Sequence, residues 1–257
     1  HDPHWQEFVV TGENSVIRHW LRVGVMGYRL DVADELPDDV LELIYSTARQ
    51  TQPDAVILGE VWEDATTKYS YGNKRRYALG GRLDSVTNYP FRSEVISFLT
   101  GRTDAEELCD FLIEQAVKYP PPMYHCLTNL LSSHDVTRIR TALSTSIDPH
   151  SLTREQQATF VISDSQNRRG ALRQRLAAAL QFAVPGVPCI YYGDEHGMNG
   201  FLDPFNRGAF REGPYSLIED YRQFARLRRS ADALRTGHAV FYAPNPDCIA
   251  VLRYVMG

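Results

Sequence analysis

Apolar positions in this chain switch repeatedly between two spacings. Short runs that are almost wholly apolar read as buried strands, and stripes three and four residues apart read as helices. Ser15 is placed to cap a helix carrying Val16, Ile17, Trp20, Leu21 and Val23, which Gly24 stops. A strand around Asp31 follows. Pro37 suits a first helical position and opens a helix to Gln50 with Val40, Leu41, Leu43 and Ile44 on one face. The run from Ala55 to Trp62 is the next strand. Beyond a Lys/Arg/Tyr-rich stretch from Lys68 to Tyr77 comes a short strand between Leu83 and Tyr89. Helices are expected from Phe91 to Leu99 and from Asp104 to Tyr119, the second ended by Pro120-Pro121-Pro122. Leu127 to Asp135 reads as a strand and Ser144 to Arg169 as loop with one helix. A helix from Ala171 to Val184 and a buried strand from Val187 to Tyr192 complete the pattern.

Repeated strand–helix units imply a parallel α/β sheet with helical crossovers. Five such strands precede a change of character near Gly237. There 238–243 and 248–255 read as a hairpin opening an all-β domain, which divides the chain into 1–236 and 237–257. The start at His1 without methionine, and the stop just after a strand-like run, read as a piece of a longer polypeptide.

Composition removes several functions. A net charge of −5 with 43% hydrophobic residues gives no basic surplus for nucleic acid. No apolar run is long enough to span a bilayer. The four cysteines have no zinc-like spacing. They read as reduced, buried thiols of a cytoplasmic protein.

Charge inside the strand-like runs carries the chemistry. Arg29 and Asp31, two apart, share one face of their strand. Glu60 ends the second run, and His134-Asp135 ends the fourth. Buried charges must pair or work, and each has a plain alternative. Arg29 and Asp31 could be a structural ion pair, Glu60 a surface acid, and Asp135 the cap of a helix from Val136 to Leu143. Taken together, three strand-end carboxylates suit retaining glycoside hydrolysis, which needs a nucleophile and an acid/base about 5–5.5 Å apart. Parallel βα barrels place such groups at the C-terminal ends of strands. Arg75-Arg76 and Arg168-Arg169 read as solvated charge. Asp194-Glu195 lacks companions for a metal set.

Gly27-Tyr28-Arg29-Leu30-Asp31-Val32-Ala33, Gly59-Glu60-Val61-Trp62 and Ser133-His134-Asp135 resemble three motifs of the α-amylase family of glycoside hydrolases. Glu35, Asn88-Tyr89-Pro90-Phe91-Arg92, Pro188 to Glu195, and Asp203-Pro204 with Arg207 are similar to its neopullulanase, cyclomaltodextrinase and maltogenic amylase branch. The resemblance implies strands four to eight of a (β/α)8 barrel. It makes Asp31 the nucleophile, Glu60 the acid/base, and Asp135 the group that grips sugar hydroxyls. Arg29 pairs with Asp31, His134 contacts the sugar, and Asp203 and Arg207 hold a sugar on the donor side. Read as residues alone, Trp62, Tyr89, Tyr191, Tyr192 and Phe201 could stack on sugar rings, with strand packing the plainer role for Tyr191 and Tyr192. Substrates would be α-1,4-linked, and as a further option α-1,6-linked, α-glucan oligosaccharides, cyclodextrins or pullulan. No cofactor is implied by these residues; the family often carries calcium, whose usual ligands lie mostly outside this segment. Self-association of copies fits the branch. Other α-glucosidases or glucan transferases, and a non-catalytic carbohydrate-binding fragment, remain as alternatives. The family's first motif is missing, Tyr28 replaces a tryptophan, and 208–212 lack the usual Pro-Trp.

Overall fold

In the computed structural model, which describes residues 2–256, strands and helices alternate as the pattern requires. The strands are β1 (Gly27–Leu30), β2 (Val56–Gly59), β3 (Tyr69–Ser70), β4 (Asn73–Lys74), β5 (Ser85–Val86), β6 (Thr128–Leu130), β7 (Val187–Cys189), β8 (His238–Asn245) and β9 (Cys248–Tyr254). The chain divides into two compact units, one running to Asn88 and including Gln115–Thr128, the other comprising Tyr89–Glu114 and the residues from Asn129 onward. The division falls inside β6.

In the first unit β1 pairs with β2, and β2 with β5, all parallel. A parallel bridge from Thr87 to Thr128 extends the ladder. Leu30 faces Gly59, so Asp31 and Glu60 follow at matched positions one residue past their strands. Gly27 is required for this pairing: a Cβ there would lie 2.0 Å from the Val56 carbonyl oxygen. The helix Val16–Val23 begins and ends as its sequence dictates. Ser15 accepts from the Arg18 N–H, and Gly24 closes the last turn with φ 119°. Pro37 sits one place earlier than expected, as the N-cap of the helix Asp38–Thr51. Leu41, Ile44, Ile57, Val61, Val86 and Leu127 belong to the core of this unit.

In the second unit β6 pairs with β7, and β8 with β9 as an antiparallel hairpin. Phe91, Leu108, Leu131, Ile139, Leu143 and Ala177 form its larger core, and the hairpin packs Ala239, Phe241 and Val251 against it. The helix Asp164–Ala183 starts seven residues before the expected Ala171. Its polar first turns hide it from an apolar pattern, but Ser163 and Gln166 form a reciprocal capping box there. Near its other end, buried Gln181 donates to the Asn129 and Cys189 carbonyls at 2.8 and 2.9 Å, tying helix to both strands.

Three expectations are corrected. β7 is not a buried strand: it ends at Cys189, and Val187 and Ile190 are exposed. Of the cysteines only Cys109, on the inner face of the helix Ala105–Lys118, is buried; Cys126, Cys189 and Cys248 are exposed, lying at strand ends rather than under helices. Arg75 is not solvated charge but is buried against three acceptors. Among the described residues no helix is long and apolar enough to cross a membrane.

Candidate active site

The first unit brings Arg29, Asp31 and Glu60 together. Arg29 lies on β1 with its guanidinium between the two acids. Its Nη1 contacts Asp31 Oδ1, and its Nη2 lies 3.0 Å from Glu60 Oε1. The two carboxylates have opposite surroundings. Glu60 is 4% exposed, and its Oε2 accepts the Val32 backbone N–H at 2.8 Å. The Asp31 side chain is 74% exposed. Val32 reaches Glu60 from a left-handed conformation with φ 40°, which is strained for a β-branched residue. Arg29 and Asp31 are therefore an adjacent pair as period two demands, but an open one rather than a buried one. Trp62, two residues past Glu60, is 43% exposed.

The second unit brings together His134, Asp135, Asp203 and Arg207. His134 Nε2 lies 3.1 Å from Asp135 Oδ2, and Arg207 Nη2 lies 3.3 Å from Asp135 Oδ1. Arg207 Nε is 3.3 Å from Asp203 Oδ1 and also donates to the His134 carbonyl at 2.9 Å. Asp135 is not at a strand end, because β6 stops at Leu130 and a turn carries the acid. Nor does it cap a helix: the next helix is Ile139–Ser144, preceded by Arg138. Its backbone N–H instead donates to Ser133 Oγ at 3.1 Å, which in turn meets the Tyr89 hydroxyl at 3.0 Å.

Two buried residues beneath these loops escape sequence reasoning. Asn206 has no exposed surface, and its amide donates to the His134 and Val136 carbonyls, both at 2.9 Å. Arg138 is equally buried. It donates to the Asn206 and Tyr192 carbonyls at 2.9 and 2.7 Å and lies 4.6 Å from the ring centres of Tyr191 and Tyr192. Those tyrosines follow β7 and pack on a guanidinium, not within a strand. A charged residue directly ahead of an apolar helix is the one signal for Arg138; Asn206 had none. Asp194, 3.4 Å from Arg138, is buried. Burial pushes its carboxyl up to about 7 against the opposing pull of the Ser132 hydroxyl, Arg138 and Arg92, with Glu195 adding to the rise.

Among the described residues no three His, Cys, Asp or Glu side chains are grouped to hold a metal ion.

Residues 3–237 match the catalytic domain of the α-amylase family. The chain is 31% identical over 271 residues to an amylopullulanase of Thermoanaerobacter thermohydrosulfuricus, spanning 98% of this chain and 17% of that protein. It is 33% identical over 243 residues to a cyclomaltodextrinase of Bacillus sp, spanning 91% and 38% respectively. The structure of cyclic α-maltosyl-(1→6)-maltose hydrolase from Arthrobacter globiformis matches with a TM-score of 0.77 at 26% identity, over 94% of this chain and 48% of that one. The chain thus spans less than half the length of each of these relatives. Strands β1, β2, β5, β6 and β7 with their helices are the C-terminal portion of a (β/α)8 barrel, followed by the β8–β9 pair. With the catalytic-domain match running through nearly all of it, this polypeptide belongs to the α-amylase family.

Proposed function

We propose that the protein containing this chain hydrolyses α-glucosidic bonds of maltooligosaccharides, cyclodextrins or pullulan with retention of anomeric configuration. One observation carries the reading: a single guanidinium contacts both Asp31 and Glu60. Retaining pairs stand about 5–5.5 Å apart and inverting pairs about 6.5–9.5 Å, and one Arg fork reaching two acids favours the shorter spacing. The opposite exposures of the two acids suit different tasks.

Asp31, open to an incoming sugar, attacks the anomeric carbon and forms a covalent glycosyl ester as the glycosidic bond breaks. Glu60 gives its proton to the departing oxygen. It then takes a proton from water, whose oxygen attacks the anomeric carbon and releases Asp31. Arg29 orients the nucleophile. His134 and Asp135, held by Arg207, grip sugar hydroxyls, and Asp203 with Arg207 binds a donor-side sugar. Trp62 offers an aromatic face beside Glu60. The relatives' names, amylopullulanase and cyclomaltodextrinase, support the substrate class.

NMR of the first product from maltotriose or β-cyclodextrin tests the mechanism. An α-anomer is expected, and Asp31→Asn should lower kcat by roughly 10⁴-fold or more, as loss of a nucleophile does elsewhere. A β-anomer released first, or full activity in Asp31→Asn, overturns the assignment.

A further inference from the structure

The turn joining β3 to β4 carries an unexpected residue. Tyr71 and Gly72 both have positive φ, 51° and 76°, and link Ser70 to Asn73 as a two-residue hairpin loop. Such mirror-image turns favour Asn, Asp or Gly at the first position, because a bulky side chain there is strained. Burial gives nothing back: Tyr71 is 74% exposed and Tyr69 65%. An exposed aromatic ring kept in an unfavourable backbone state points to a use outside folding.

The hairpin is also fastened far more firmly than a surface loop requires. Every anchor branches from the segments that leave Asp31 and Glu60. Ser70 Oγ donates to the Asp34 carbonyl at 3.2 Å. Lys68 pairs with Asp34 at 3.0 Å and with Glu63. Buried Arg75, directly after β4, donates to Asp38 at 3.0 Å, to the Asp34 carbonyl at 2.8 Å and to the Leu36 carbonyl. The Tyr71 hydroxyl donates to the Glu35 carboxylate, four residues past Asp31, which fixes the ring's direction. A pyranose presents one face of C–H groups with hydroxyls at its rim. A held ring with an open face and a carboxylate at its edge matches both parts of that surface.

We propose that Tyr71 is a stacking platform for a glucose unit on the departing side of the scissile bond, with Glu35 both orienting the ring and accepting from sugar hydroxyls. The departing side is assigned from the loop that carries the hairpin, which leaves Glu60, the group that protonates the leaving oxygen; the anchors, apart from Glu63, tie it to the segment after Asp31. The proposal rests on the roles given to Asp31 and Glu60.

Tyr71→Asn separates platform from scaffold, because asparagine suits the turn and removes the ring. Its melting temperature should equal or exceed that of the unaltered protein. Its KM for maltoheptaose should rise about tenfold with kcat within about twofold, the loss expected for one stacked ring. Tyr71→Phe keeps the ring and should stay within about threefold of the original KM. Maltoheptaose binding, measured by calorimetry with Asp31→Asn protein so that no turnover intervenes, should weaken by the same factor when Tyr71→Asn is added. Unchanged KM and binding in Tyr71→Asn overturn the platform alone. Failure of the unaltered protein to bind or cleave maltoheptaose overturns the hydrolase reading and the platform with it.

Discussion

Arg29 is the residue on which the acid pair depends, because only a forked cation touches two carboxylates through separate nitrogens. A lysine would bring one ammonium, able to follow Asp31 or Glu60 but not to fix both. Arg29→Lys should therefore lower kcat/KM on the order of 10²-fold, the usual effect of misplacing a reacting group by about 1 Å. The same variant should change the urea midpoint little, since lysine keeps a positive charge for buried Glu60 and the Arg29–Asp31 contact is open to water, where such pairs contribute about 0–1 kcal/mol. Steady-state kinetics on maltotriose beside urea unfolding checks both halves; equal activity in the two proteins would show that the fork is not needed. The adjacency of Arg29 and Asp31 was legible in the sequence, as a strand's period of two leaves no other arrangement. Their exposure was not, because it depends on what else covers β1.

At the scale of the element, loops rather than strands decide where His134 and Asp135 point. Asn206 holds that loop from beneath with N–H groups aimed at backbone carbonyls. Asn206→Asp keeps the shape but turns donors into acceptors facing acceptors. It should cost about 2–4 kcal/mol, read as a lower urea midpoint with an unchanged slope, because the His134 and Val136 carbonyls then face an acceptor where the buried Asn206 amide donated. A midpoint within error of the original would mean the loop stands without this clamp. The strands β1 and β2 and the capped helix Val16–Val23 were readable in the sequence because local signals there agree with the tertiary structure. The β3–β4 hairpin was not, since its turn uses Tyr71 where a hairpin pattern looks for Asn or Gly. Asp135 was placed on a strand because Leu127 to Leu131 continues smoothly into Ser132; the strand ends at Leu130 through backbone geometry that no side chain announces. Long-range contacts explain the rest. Asn206 and Arg138 act on residues distant in sequence, and periodicity carries no information about such partners.

For the molecule as a whole, one enclosed carboxyl links stability to pH. Asp194 is an ordinary acid in the unfolded chain, near 3.8, and burial raises it to about 7 in the folded protein. Below pH 4 it is protonated in both states and costs nothing. Between about pH 4 and 7 the unfolded chain ionises while the folded protein holds its proton, so stability falls as pH rises. Above 7 the folded protein ionises too and the loss levels off, at roughly 4 kcal/mol from this one group. The pairing with Arg138 softens this cost without cancelling it, as is common for buried ion pairs. Asp194→Asn keeps the size of the side chain and removes the titration. The variant should match the original protein near pH 3 and exceed it at pH 8, with the gap opening mostly between pH 4 and 7. Guanidinium unfolding at a series of pH values reads the gap directly. A difference between the two proteins that stays constant from pH 3 to 8 would show that Asp194 does not set this dependence. One in which the variant weakens as pH rises would show that the charged Asp194–Arg138 pair stabilises the fold.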